Sequence, residues 1–185
     1  MAKSNKTEYA LLGILSIEPM SGYDIRNYVQ QSIGFFWQES YGQIYPALRQ
    51  LTARRLVSKR RAKTSRGPAR YVYSITPAGR NEFADWLTAE PEPEKVRNEL
   101  LLKLYFGTMG NRADHVHHLE RLLASQSDRL KQFAQIEKHV LPEYEGVPDY
   151  PYWRSTLRFG QHVTRARVRW CQETLEWLKN GSNKK

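Results

Sequence analysis

The side chains with the most to offer chemically lie between Tyr41 and Arg70, and what they offer is binding to negative charge. Between Glu39 and Glu82 the chain has no Asp or Glu, yet it carries ten Lys and Arg. A merely solvated surface mixes both signs, so a long one-sign segment marks a surface that holds something acidic. Inside it, "YGQIYPALRQLTA" sets Gly42, Gln43, Pro46, Arg49, Gln50 and Ala53 on one face of a helix, with Tyr45 at its flank. Small, amide and basic groups are those that enter a DNA major groove. Gln43 and Arg49 can hydrogen-bond base edges, and Tyr41 or Tyr45 can reach a phosphate. Further on, "SKRRAKTSRGPARYVYSIT" places Lys63, Ser65, Arg66 and Gly67 at the tip of a turn, where they can lie along backbone or minor groove. A nuclear-localisation reading of "KRRAK" is the weaker one, because a strand pattern follows it directly.

Other chemistries find little footing. "SRGPAR" has one glycine and no helix after it, so it is no phosphate loop, and neither G-x-S-x-G nor H-E-x-x-H occurs. In "HVHH", His115 and His118 share a helix face. Without an accompanying Cys or carboxylate set, they read as surface histidines rather than metal ligands. The single cysteine, Cys171, falls in a helical pattern and reads as a packing residue. One cysteine permits no intrachain disulfide, which suits a reducing compartment. The apolar run from Tyr9 to Ile17 is too short to span a membrane. The expectation is a soluble cytoplasmic protein with no cofactor, no metal and no catalytic role. Its 185 residues suit one large or two small domains, and its net charge of +10 favours anionic partners.

The elements that must position these groups follow from the pattern. A first helix covers Thr7–Ile17. Ser21 caps a second, with Asp24 at the third helical position, and Gly34 closes it. A third, roughly Tyr41–Arg54, has Ile44, Leu48, Leu51 and Arg55 on its inner stripe. Two strands follow around Ser65–Pro68. Thr76 and Pro77 then open a fourth helix, whose inner face is Phe83, Trp86 and Leu87. Three helices, a hairpin and a closing helix are the order of a winged helix-turn-helix, here residues 1–88. The third helix is its reader and the hairpin its wing.

A Pro/Glu linker occupies 89–94 and a helical domain 95–180, with 181–185 a disordered tail. The first helix of that domain runs from Lys95 to Met109. The second restarts at Asn111 and continues to about Leu141, with Val116, Leu119, Leu123, Gln126, Leu130 and Phe133 as a coiled-coil-like seam. The last, Tyr152 to about Leu178, aligns Trp153, Leu157, Gly160, Val163, Trp170 and Trp177. Such stripes need cover, which points to a homodimerisation module. The expected fold class is mainly α with a small β-hairpin.

"YALLGILSIEPMSGYDI", "SYGQIYPALRQLTARRLV" and "RYVYSITPAGRNEFADWL" resemble the PadR-like transcriptional regulators. "ELLLKLYF" and the closing "TLEWL" look like the longer subgroup with a C-terminal helical arm. The resemblance implies dimeric binding to near-palindromic double-stranded DNA, usually as a repressor, with some members released by phenolic acids or other planar aromatics. It places reader positions on Tyr41, Gln43, Tyr45, Pro46 and Arg49, and the SGYDI box on Ser21, Gly22 and Tyr23. Thr52 stands where many relatives have Glu. The alternatives are a ligand-independent regulator, an activator, or a winged-helix module for protein or RNA.

An effector reading rests on aromatics. Trp37, Tyr41, Tyr105, Phe106, Tyr150, Tyr152, Trp153 and Phe159 can line a flat apolar cavity, with Arg154, Arg158 or His162 pairing a carboxylate. Ordinary core and dimer packing is the competing account of the same residues.

Overall fold

The computed structural model describes residues 6–37, 39–62, 70–94 and 96–180. The chain divides between Pro93 and Glu94 into two compact units.

In the N-terminal unit, α1 (Lys6–Ile17) and α2 (Gly22–Gln31) are joined by a two-residue strand, β1 (Met20–Ser21). Ser21 caps α2 as its sequence suggests. Its hydroxyl accepts from Asp24 N–H, and the Asp24 carboxylate accepts back from Ser21 N–H. The helix stops at Gln31, short of Gly34, with Ser32 as its C-cap.

Helix α3 (Tyr41–Ala53) is followed by β2 (Val57–Ala62), β3 (Arg70–Ile75) and α4 (Pro77–Thr88). The sheet has three strands rather than the two of a hairpin, in the order β1-β3-β2, all antiparallel. Met20 and Ser21 pair with Tyr73 and Val72, and a two-residue strand is too short to leave a period in the sequence.

The core joins Leu11, Leu12 and Leu15 of α1, Ile25 and Val29 of α2, and Ile44, Ala47, Leu48 and Leu51 of α3. Val57 and Tyr73 of the sheet complete it. Arg55 does not extend the α3 stripe. It lies beyond the helix at φ 59°, where its N–H donates to Thr52 O and the next N–H, of Leu56, donates to Leu51 O. These two bonds form a Schellman stop with an arginine in the place glycine usually takes. The buried fourth residue is Ala47.

On α4, Thr76 caps through Gly79 N–H with Pro77 at the first turn. Its inner face is narrower than expected. Phe83 packs on the core, Trp86 stacks on Tyr9 at 4.8 Å, and Leu87 is 63% exposed.

In the C-terminal unit, α5 (Glu99–Tyr105) starts four residues later than its apolar pattern suggests, because Asn98 caps it by accepting from Leu101 N–H. Val96 therefore lies outside the helix, exposed. A 3₁₀ turn, Gly107–Met109, leads to α6 (Arg112–Gln135), capped by Asn111. In place of a regular helix to Leu141 there is a π-helical turn, Ile136–Val140, and then a 3₁₀ turn, Leu141–Tyr144.

Helix α7 (Tyr150–Asn180) returns antiparallel along α6, as the Gln161–Glu137 contact in its first half and the Lys179–Glu120 contact at its C-terminal end require. Leu119, Gln126 and Phe133 are the buried members of the α6 seam. The α7 seam keeps Leu157 and Gly160 of the expected stripe but not its tryptophan end. Leu157, Gly160, Gln161, Thr164, Cys171 and Leu175 are buried, while Trp177 is 73% exposed. Leu157, Gln161, Thr164, Cys171 and Leu175 keep a heptad-like spacing, with Trp170 one residue from Cys171 and Trp177 two from Leu175. Cys171 is fully buried against Leu119, and burial raises its thiol pKa.

Candidate nucleic-acid interface

Helix α3 presents Tyr41, Gly42, Gln43, Tyr45, Arg49 and Gln50 to solvent, with Pro46 half-buried beside them. The helix can carry this face because its other side is locked into the core. Its C-terminal end is held by Arg54, which pairs with Glu8 of α1 at 2.7 Å and with Glu82 of α4. Arg54 is thus a basic residue of the acid-free segment that serves the framework. Arg80 is another, its guanidinium donating to Ser16 O. Among the described residues, Arg49, Lys59, Arg60 and Arg61 have no acidic partner.

The start of α3 is a second capping box. Gln43 Oε1 accepts from Ser40 N–H at 3.0 Å and from Ser40 Oγ–H at 2.8 Å. The residue that sequence offers as a base reader is therefore also a cap, and its free donors are those of Nε2. Tyr41 and Tyr45, one turn apart, stack at 6.1 Å. Arg26 of α2 lies over the Tyr41 ring at 4.4 Å and donates to its hydroxyl at 3.3 Å. Arg26 was not singled out from sequence, since it precedes the acid-free segment and has no spacing that ties it to Tyr41.

Tyr45 lies flat against Gly22. A Cβ there would meet its ring at 2.7 Å, so the glycine of the SGYDI box makes room for a side chain of α3. Ser21 has a different place from the one its motif suggests. It is 5% exposed, and its hydroxyl also donates to Asp24 Oδ2 at 2.7 Å, so it is bound up in the cap. Tyr23, the next residue but one, is 52% exposed.

The strand register sorts the wing's basic residues. Lys59 pairs with Tyr73 and Arg61 with Tyr71 across the sheet, on the face that also carries core residue Val57. Arg60 pairs with Val72 and points to the other face. The Lys59 ammonium lies 3.7 Å from the Tyr71 ring centroid. Lys63, Ser65, Arg66 and Gly67 lie outside the described residues. An open recess beside this face is lined by Gly22, Tyr23, Tyr45, Arg70, Tyr71 and Tyr73.

The residues read as an effector cluster are not gathered by either unit. In the N-terminal unit, Trp37 Nε1 donates to Glu39 Oε1 at 2.8 Å, and Tyr41 stacks on Tyr45 on the exposed face of α3. In the C-terminal unit, Tyr105 and Phe106 make an exposed edge-to-face pair after α5. Leu100 and Leu104 of α5 pack near Cys171 and Leu175. Trp153 instead meets Tyr144 at 5.5 Å, at the other end of α7. Residues 153 and 171 of one helix are about 27 Å apart at 1.5 Å per residue. One chain therefore cannot close Tyr105 and Phe106 around the same small molecule as Tyr152 and Trp153. Tyr152, Arg154, Phe159 and His162 are exposed. Nε2 of His115 hydrogen-bonds with Gly107 O at 3.1 Å, and no metal-holding group of His, Cys, Asp and Glu occurs among the described residues. No helix among them is long and apolar enough to cross a membrane.

Residues 11–85 match the family model for the transcriptional regulator PadR-like family, and residues 96–179 match that of the virulence activator alpha C-terminal region. The negative transcriptional regulator PadR of Bacillus subtilis is 30% identical, covering 92% of this chain and 96% of its own. Its crystal structure in complex with operator DNA superposes with a TM-score of 0.76 at 28% identity, over 92% of this chain and 98% of that one. Its complex with p-coumaric acid gives 0.69 at 29% identity, over 93% and 98%. The Vibrio cholerae virulence activator AphA gives 0.72 at 26% identity, over 94% and 98%. The sequence motifs, the three-helix core with its sheet, and the matches to both units agree, and the chain belongs to the PadR-like family of transcriptional regulators.

Proposed function

We propose that the protein is a homodimeric, sequence-specific DNA-binding repressor. The observation that carries this reading is the acid-free face of α3, where Tyr41, Gln43, Tyr45 and Arg49 are exposed, with Tyr45 sharing a recess with Tyr71, over which Lys59 lies. The Bacillus relative solved on operator DNA supports the same partner. Two reader helices enter successive major grooves, with half-site centres about 34 Å apart. Tyr23, Tyr41, Tyr45 and the wing tip Lys63, Ser65, Arg66 and Gly67 contact backbone, while Gln43 and Arg49 contact bases and Pro46 packs beside them. Residues 1–88 are the DNA-binding domain and 95–180 the dimerisation domain. Apolar surface left open on the C-terminal unit supports a second copy there, since Leu102, Tyr105, Met109 and Trp177 are all more than half exposed.

Duplex selection from a random pool, followed by fluorescence titration, tests this reading. A selected near-palindrome bound tightly, with affinity falling steeply as salt rises, is the expected result. Failure to bind any duplex at low salt would overturn it in favour of a scaffold. Deletion of the gene should raise transcripts from promoters that carry the site. A fall would favour an activator, the reading that the virulence-activator match of residues 96–179 supports.

A planar aromatic acid is the proposed effector, on the strength of the relative's p-coumaric acid complex. Arg154, Arg158 and His162 are the groups to pair its carboxylate, near Tyr152 and Trp153. Absence of heat on titration with p-coumaric acid, together with unchanged duplex affinity, would remove that ligand and leave the DNA reading intact.

A further inference from the structure

We infer that the recess between the start of α2, Tyr45 and β3 is a site for one backbone phosphate of the bound duplex, with the Tyr73 hydroxyl donating to it from the floor. The inference rests on the DNA-binding reading and adds a contact to it. Tyr73 is 6% exposed, and its ring belongs to the core. Its hydroxyl has no hydrogen-bond partner among the described residues. The hydroxyl is not among the sealed, unpartnered polar atoms, so it is open to a partner from outside the chain. Here the place for one is the recess that Tyr73 lines.

The surroundings select an anion. Tyr23, Tyr45 and Tyr71 rim the recess, each about half exposed and each ending in a hydroxyl. Arg70 lines it, and the Lys59 ammonium over Tyr71 adds a second positive charge on the same face of the sheet. Among the described residues no carboxylate lines it. That of Asp24, in the first turn of α2, is committed to Ser21 N–H and Oγ–H. Gly22 opens α2 there, so the positive end of a ten-residue helix points the same way. Burial raises the Tyr73 pKa, which keeps the phenol protonated and a donor through the neutral range. A duplex phosphate is the source that fits, because Tyr45 belongs at once to the reader helix and to the rim.

Tyr73→Phe keeps the ring in the core and removes only the donor. On a selected operator duplex it should bind at least about tenfold more weakly than the parent, the value of a hydrogen bond to a charged group. The same loss should appear on unrelated duplexes, since a phosphate contact carries no sequence information. A set of operator duplexes, each with one linkage made a neutral methylphosphonate, then locates the contact. At one position the parent should lose affinity and the Tyr73→Phe loss should vanish. If the variant binds like the parent, or its loss is the same on every modified duplex, the phosphate site is refuted while the DNA reading stands. If the parent binds no duplex, it is the DNA reading that fails.

Discussion

Gln43 Oε1 accepts two hydrogen bonds from Ser40, so α3 is capped by the residue proposed to read a base. Bidentate recognition of adenine by an amide needs both its donor and its acceptor. With the acceptor held by Ser40, the proposed base contact of Gln43 is left to Nε2 alone, toward an acceptor such as guanine O6 or thymine O4. Gln43→Ala should lose both roles, lowering stability by about 1 kcal/mol and relaxing preference at one base pair. Gln43→Glu should keep the cap and repel the duplex. Thermal denaturation of the two variants separates the roles. An unchanged midpoint in Gln43→Ala would show that the cap contributes nothing in solution.

Gly22 and Tyr45 form a second coupled pair. Adding a methyl group at Gly22 drives the Tyr45 ring off the surface of α2, since it would meet ring atoms at 2.7 and 2.9 Å. The ring is free to swing toward solvent, so Gly22→Ala should fold with a near-parental midpoint. Duplex affinity should drop on the order of tenfold, the worth of one hydrogen bond to a charged group. A parental affinity would mean that Tyr45 takes no part in binding.

Gly79 is different, because its neighbour cannot move. A Cβ at Gly79 would stand 2.2 Å from Leu56 O, and Leu56 O also accepts from Thr76 N–H and Oγ1–H. Gly79→Ala should therefore cost roughly 3 kcal/mol or more, at the upper end of overpacking. Urea denaturation of the 1–93 unit's transition would read it, and a midpoint close to parental would contradict the close approach.

In the C-terminal unit, Lys179 donates to Glu120 at 2.6 Å and holds that carboxyl pKa below its ordinary value, by hydrogen bond first and charge second. A depressed folded-state pKa stabilises above the unfolded value of about 4.5. That contribution is lost as pH falls through the folded value. Carbon-detected NMR titration should find the Glu120 midpoint low in the parent and returned to normal in Lys179→Ala. Equal midpoints would show that the pair does not form. The effect on stability is small, since both groups are exposed.

Much of this was legible beforehand, for physical reasons that differ by element. The capping box of α2 and the Thr76-Pro77 opening of α4 are local signals, in which a cap and its target lie three residues apart. The α3 core stripe shows as a period because one face is wholly buried. β1 left no trace, being two residues long and created by pairing with Tyr73 and Val72. The α7 stripe is legible in part: Leu157 and Gly160 are buried and Trp170 packs on the cluster, but Trp177 is exposed and the small or polar members Gln161, Thr164 and Cys171 carry no apolar signal. Arg55 in a left-handed Schellman stop contradicts propensity, and the two bonds from Arg55 and Leu56 into α3 outweigh it.

By itself the sequence determined the family, the order of helices, and the acid-free segment that presents positive charge. Those depend on residue type and on spacing within a few turns. Only the tertiary structure decided which basic residues are free and which are spent. Glu8 and Glu82, remote in sequence, converge on Arg54 and commit it to the framework. The register of β2 on β3 turns Lys59 and Arg61 to one side and Arg60 to the other. Tyr73 is half core residue and half donor for the same reason. Its strand buries the ring, and the junction of α2, α3 and β3 leaves the hydroxyl a recess to face.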